Sequence, residues 1–315
     1  MDYGKYIFSC KFISKAELPY YKGSTFRGVF GIALKKIACT LKNSECDSCL
    51  LNTHCIYALV FETDKVIAAA KRSKFAAVPH PFVIEPPLEG KSLFKAGDSF
   101  EFNMLLFGEI NTKIPYFIYA LNEMGNIGLG KKTDGKRGKF ELITVTNASK
   151  IIYRASEQKI YTQAVDRLNL EDSNKFVNED QGESRLEIIL ETPLRLKFKN
   201  RFNADLPFHI LVRAMLRRVS SLLENYDQGE PDIDYKGLVK HADGIIISHN
   251  NLKWFDWKRY SSRQNTKMLM GGITGSITYK GRFDKYLPML NFCCKTHIGK
   301  QTAFGLGKFR FEVVQ

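Results

Sequence analysis

One arrangement of residues occurs twice in this chain, and it limits the fold more than any single motif. Near the N-terminus Tyr6, Phe8, Cys10 and Phe12 alternate with Ile7, Ser9 and Lys11, the two-residue period of a strand. After Pro19, Ser24 reads as an N-cap, and Phe26, Val29, Phe30, Ala33, Leu34, Ile37 and Leu41 recur at helical spacing. In the second half Leu186, Ile188 and Leu190 alternate. A turn follows at Thr192-Pro193, and Pro207 opens a helix with the stripe Leu211, Ala214, Met215, Val219, Leu222 and Leu223. Each half closes with a glycine-rich segment running into another alternating strand, Gly128 to Leu142 in the first and Gly299 to Val313 in the second. A strand, a helix, further strands, a glycine loop and a strand, repeated, predict an α+β protein of two ferredoxin-like domains. The expected boundaries are a first domain over residues 1–165, an acidic linker over 166–184, and a second domain over 185–315. The linker expectation rests on six acids between Asp166 and Glu183 with few apolar side chains.

Charge narrows the function. With 47 Lys and Arg against 33 Asp and Glu, the net charge is +14, which calls for a polyanion. Twelve Lys and Arg against two acids lie between Lys253 and Arg310, interleaved with Trp254, Phe255, Trp257, Tyr260, Tyr279 and Phe283. That mixture suits RNA, whose phosphates take the cations and whose unpaired bases take the rings. A membrane-surface element would concentrate its charge on one amphipathic helix, and no apolar run approaches the ~20 residues of a membrane span. No membrane partner and a cytoplasmic location are expected.

Seven cysteines, an odd number, argue against a fully paired secreted framework. Cys39, Cys46, Cys49 and Cys55 have the spacing C-x6-C-x2-C-x5-C, and the C-x2-C pair resembles a zinc knuckle. A structural Zn²⁺ is the metal expectation, with reduced thiols packed as small hydrophobes as the alternative. Cys10 falls in the core by its alternation, and Cys293-Cys294 read as buried strand cysteines.

The segment His297 to Lys308 contains Gly299, Gly305 and Gly307, with Lys300 and Lys308 beside them. Glycines there let backbone approach a phosphate. It is not a P-loop, because Cys294 stands where the first glycine is required and Gln301 occupies the Ser/Thr position. Gly128-x-Gly130 does not extend to a dinucleotide fingerprint, since Thr133 takes the next glycine position. Arg213 and Arg217 share one helix face, and Arg259 and Arg263 punctuate the aromatic stretch.

Several pieces together resemble the CRISPR-associated endoribonucleases of the RAMP superfamily that cut precursor CRISPR RNA within its repeats. They are Phe26-Arg-Gly28-Val-Phe-Gly31 followed by the four cysteines; Gly125 to Gly130 through Gly138-Lys-Phe140; Arg213-x3-Arg217-Arg218; Trp254 through Gln264; Gly271-Gly272-x2-Gly275; and the loop from His297 to Gly307. The resemblance implies tandem RRM-related domains, no cofactor for chemistry, CRISPR repeat RNA or crRNA as partner, membership of an effector complex as a further option, and a product with a 2′,3′-cyclic phosphate. It implies RNA contacts at Gly299, Lys300, Gly305, Gly307, Lys308, Arg213, Arg217, Arg259 and Arg263. Many family members carry a catalytic His near the end of the first helix, which here ends Lys35-Lys36-Ile-Ala-Cys39. The catalytic candidates are therefore His297, favoured for its place beside the glycine loop, then Tyr21 with Lys36, His54 and His80. A non-catalytic subunit that holds guide RNA is the alternative function.

Overall fold

The computed structural model describes residues 1–41, 45–70, 78–161, 165–170, 182–196, 206–261 and 266–314. Its chain divides into two units, Met1–Arg167 with Asn225–Asp227, and Leu168–Glu224 with Gln228–Gln315.

In the first unit β1 (Asp2–Phe12) leads to α1 (Gly23–Ala38), then the short helices α2 (Ile56–Phe61) and α3 (Thr63–Ala70). Next come β2 (Phe82–Glu85), β3 (Ser99–Phe107), α4 (Ile114–Ile127) and β4 (Phe140–Asn147). The antiparallel order β4–β1–β3–β2 is that of a split βαβ repeat, extended at the β4 edge by Lys150–Arg154 and Lys159–Ile160. The alternation expected of β1 buries Tyr6, Phe8, Cys10 and Phe12. The α1 stripe of Phe26, Val29, Phe30, Ala33 and Leu34 is buried with them, and α4 adds Phe117, Leu121 and Met124. Phe8 stacks on Phe102 at 5.2 Å and Phe30 on Phe117 at 5.5 Å. Each such ring removed from water contributes about 1.5–3 kcal/mol, so this layer between helices and sheet is what fixes α1 and α4.

The second unit repeats the plan with β5 (Ser184–Leu194), α5 (Phe208–Tyr226), α6 (Tyr235–Ala242), β6 (Ile246–Asn250), β7 (Lys253–Ser261), β8 (Thr266–Gly281), α7 (Leu287–Thr296) and β9 (Phe309–Val314). The order β6–β8–β5–β9 is the same permutation, and β7 also pairs with β8. Two tandem ferredoxin-like domains are thus present. Leu186, Ile188 and Leu190 of β5 are buried, as is the stripe of α5, and Tyr279 meets Phe208 of α5 edge-on while donating its hydroxyl to the Leu206 carbonyl at 2.7 Å.

Local expectations needed correction in three places. Helix α1 starts at Gly23 after Lys22, with no side-chain cap, so Ser24 lies inside the first turn. Asp166–Arg167, placed in the linker, pair as a two-residue strand with the start of β1. Cys293 and Cys294 lie on α7, not on a strand, because Leu287-Pro288 opens a helix whose buried stripe is Met289, Leu290, Phe292 and Cys293. Among the described residues no helix is long and apolar enough to cross a membrane.

Candidate nucleic-acid interface

Helix α7 ends at Thr296, and the chain turns at His297 with φ +61°. The His297 side chain is fully buried and its Nδ1–H donates to the Leu306 carbonyl at 3.1 Å. Around it the loop is closed by its own backbone. Ile298 N–H donates to Gly307 at 3.0 Å, Gly307 N–H to Pro193 at 3.1 Å, and Lys300 N–H to Arg195 at 2.9 Å. Thr192 Oγ1 donates to the Gly305 carbonyl and accepts from Lys308 N–H, both at 2.8 Å. Beneath this, the buried Arg218 holds the Thr296 carbonyl through Nε and Nη2.

This changes the role assigned to the glycines. Gly305 and Gly307 are buried, at φ +83° and +76°, and a Cβ on Gly307 would lie 1.8 Å from the Ile298 carbonyl oxygen. They serve the loop's closure on itself and present no open backbone to a phosphate. Gly299 and Lys300 are the exposed part. Lys308 is half-buried and paired with Glu191 at 3.3 Å. His297, favoured above as the proton-transfer group, lies in this conformation where no substrate atom can reach its ring.

On α5, Arg213 and Arg217 are exposed, one face away from buried Arg218. Arg259 lies on β7, and Arg263 falls outside the described residues. Phe255 and Trp257 stack at 5.7 Å, while Trp254 donates to Asp256 at 2.8 Å and lies over Gly271. His209 meets Asp243 at 3.0 Å.

In the first domain the structure separates Tyr21 from Lys36. They flank opposite ends of α1, about 20 Å apart at 1.5 Å rise per residue, and cannot act as a pair. Burial, helped by the Glu85 charge, raises the Tyr21 phenol's pKa, and Lys36 is bound to Glu123 at 2.5 Å. His80 is held between Arg27 at 3.0 Å and Thr63 at 3.1 Å; the Thr63 hydroxyl also donates to the Leu59 and Val60 carbonyls.

His54 is the candidate that the fold relocates. Phe61 packs over Gly31, where a Cβ would lie 2.9 Å from the ring, and Lys35 lies over the Tyr57 ring at 5.5 Å. Helix α2 therefore runs back along α1, so the residues before it arrive at the C-terminal end of α1. There His54, Cys39, Cys49, Cys55, Lys113 and Tyr116 share a cleft of about 360 Å³. Burial raises the Cys46 thiol's pKa, Lys35 opposes this, and the Glu62, Cys55 and Cys39 charges raise it further. All four are unpaired with one another as disulfides and half-buried. Thiolates suit zinc chemically. Among the described residues no three His, Cys, Asp or Glu side chains come together as a metal-holding group.

Known proteins share this architecture. Residues 1–170 match the N-terminal domain family AF_1859_N, and residues 188–309 match the CRISPR-associated endoribonuclease Cas6. An uncharacterized protein of Archaeoglobus fulgidus is 26% identical over 306 residues, covering 94% of this chain and 93% of its own. Among solved structures, a chain of a partial Cas6-RT-Cas1–Cas2 complex matches with TM-score 0.58 at 14% identity over 99% of this chain. This chain spans 46% of that one. A Cas6 product complex matches with TM-score 0.57 at 12% identity, covering 99% of this chain and all of the other. Thermus thermophilus Cas6 gives 0.54 at 10%, covering 99% and 98%. Because the AF_1859_N model spans its first 170 of 315 residues, the chain belongs to the proteins with that N-terminal domain, and its second half is similar to the CRISPR-associated endoribonuclease Cas6, with which the whole chain shares the tandem ferredoxin-like fold.

Proposed function

We propose that the protein is a metal-independent endoribonuclease that binds CRISPR repeat RNA and cuts it in precursor transcripts. The observation that carries this is the Cas6 endoribonuclease match over residues 188–309, which includes α5 and the whole glycine-rich loop. RNA supplies its own nucleophile, so catalysis needs a group to take the 2′-OH proton, a cation for the phosphorane charge and a proton for the leaving 5′-oxygen. The 2′-oxygen bonds to phosphorus as the P–O5′ bond breaks, leaving a 2′,3′-cyclic phosphate and a 5′-OH. His54 is the proposed proton-transfer group, since it sits in an open cleft beside Lys113. Lys300, Arg213, Arg217, Arg259 and Arg263 are proposed as RNA contacts, and His297 as the residue that holds the loop supporting Lys300.

Cleavage of a cognate repeat transcript in excess EDTA tests this reading, with the upstream fragment's end identified by its resistance to phosphatase until the cyclic phosphate is opened. Activity abolished by EDTA and restored by Mg²⁺ would overturn the mechanism. Tight binding without turnover would indicate a guide-holding subunit instead. A structural Zn²⁺ held by Cys39, Cys46, Cys49 and Cys55 is a separate proposal, and it requires the thiols to draw inward from around the cleft.

A further inference from the structure

On the second domain's sheet, β5 and β9 present no aromatic ring on the face away from the helices. On β5 and β9 of the second domain, the residues that alternate away from the helices are Arg185, Glu187, Ile189, Glu191, Arg310 and Glu312. None is an aromatic ring of the kind on which the sheet of an RRM stacks its bases. Unused rings lie elsewhere. Helix α4 opens at Ile114 after Lys113, and Tyr116 and Tyr119 follow on one face, three residues apart. Tyr116 is 48% exposed and Tyr119 64%. Neither ring, nor the Lys113 ammonium, makes a side-chain hydrogen bond, ion pair or ring contact among the described residues. Lining the cleft at the end of α1 with Tyr116 are Lys113, His54 and the thiols of Cys39, Cys49 and Cys55, with apolar walls from Ile37, Leu51 and Leu59 and, among the described residues, no carboxylate.

We propose that this cleft receives an unpaired nucleotide of the RNA substrate. The base stacks on Tyr116, the adjoining base on Tyr119, and Lys113 neutralises the phosphate between them. The charge favours an anionic occupant, because among the described residues the lining has the Lys113 ammonium and no carboxylate. The apolar walls and free rings select one with flat hydrophobic faces. An unpaired stretch of RNA has both, repeating at each nucleotide. The inference rests on the reading of the chain as an RNA-processing protein, and it adds a base-binding subsite in the first domain beside the proposed proton-transfer group.

Repeat RNA with 2-aminopurine substituted singly along its unpaired positions tests the inference, with affinity and fluorescence measured on the full chain. Stacking quenches the probe, so one position is expected to dim on binding wild type and to stay bright with Tyr116→Ala. Tyr116→Ala and Tyr119→Ala should each weaken binding about tenfold, within the range per stacked base, and Tyr116→Phe should restore both readouts. Lys113→Ala should reduce the slope of log affinity against log salt by about 0.7. Both tyrosines are exposed, so circular dichroism should show unchanged folds. Binding by Tyr116→Ala within twofold of wild type, with equal quenching, would overturn the proposal. So would a concentration-dependent dimer that Tyr119→Ala abolishes while RNA affinity stays intact. Wild type that cleaves while Tyr116→Ala binds and cleaves equally well removes only the subsite. Ring-dependent binding with no cleavage by wild type keeps the subsite and removes the nuclease reading. No RNA binding at all removes both.

Discussion

Arg218 donates from both Nε and Nη2 to the carbonyl of Thr296, at 3.2 and 2.7 Å, across 78 residues of sequence. This carbonyl is the last of α7, where the helix dipole is negative and a cation is favoured. The bond fixes the point from which the glycine-rich loop departs. Arg218→Met is expected to lower unfolding stability by about 2–3 kcal/mol, as for the loss of charged hydrogen bonds. Urea unfolding should show this as a lower midpoint at unchanged slope.

The glycines of the loop should prove structural. Gly307→Ala places a methyl group against the Ile298 carbonyl at φ +76°, which costs at least about 2 kcal/mol in backbone strain and displaced contacts. Its thermal midpoint should fall, whereas Lys300→Ala should keep the wild-type midpoint and instead flatten the salt dependence of RNA binding by about 0.7. A Gly307→Ala protein of wild-type stability with selectively lost phosphate affinity would return the glycine to a direct contact.

His297 and His54 should respond differently to removal. With its ring buried and bound to Leu306, His297→Ala should lose RNA affinity and cleavage rate together. His54→Ala should retain affinity while single-turnover cleavage falls by about 10²–10⁴, the range of a general acid or base. Rate and affinity measured on the same two variants check both outcomes.

Lys22 gives the stability a defined pH dependence. It is buried before α1, with Nζ donating to the Glu89 carbonyl at 2.7 Å and to that of Tyr20 at 3.4 Å. Burial lowers its pKa below the ordinary 10.5, and the Glu89 charge opposes that in part. Between the folded and unfolded values the unfolded chain holds more protons, so unfolding free energy rises with pH across that window. The cost of the buried charge is present below the window and relieved above it. Denaturant midpoints between neutral pH and about 10.5 should rise more in wild type than in Lys22→Met, whatever the variant's absolute stability.

The thiol cluster gives a compositional prediction. If Cys39, Cys46, Cys49 and Cys55 close on a metal, protein purified without chelators should contain one zinc per chain. The Cys46→Ala, Cys49→Ala double variant should then contain none and melt at lower temperature. Zinc-free wild type, with a double variant of equal stability, would leave the four as reduced thiols.

Much of the architecture was legible in the residues because it is local. The two-residue alternation of Tyr6 to Phe12 and the helical stripe of Phe26 to Leu34 each report which face of one element is apolar. The same holds for Leu186 to Leu190 and for the stripe of α5, so the duplicated plan could be read without contacts. Cys293-Cys294 misled because a pair of adjacent residues has no period. The site was less legible. Tyr21 and Lys36 were candidates as a pair, and α1 holds them a helix length apart. Spacing put His54 beyond the first helix, and the packing of Phe61 over Gly31 carries it back to that helix's end. The exposed rings of Tyr116 and Tyr119 drew no notice in the sequence, because only burial distinguishes them from Phe117 and Leu121. The sequence by itself determined the opening strand and helix of each domain, their duplication and the excess of positive charge, since periodicity and charge are properties of neighbours along the chain. Tertiary structure alone decided that His297 is enclosed, that Gly307 serves Ile298 and that Arg218 holds Thr296. Those facts depend on which distant backbone groups meet when the core closes.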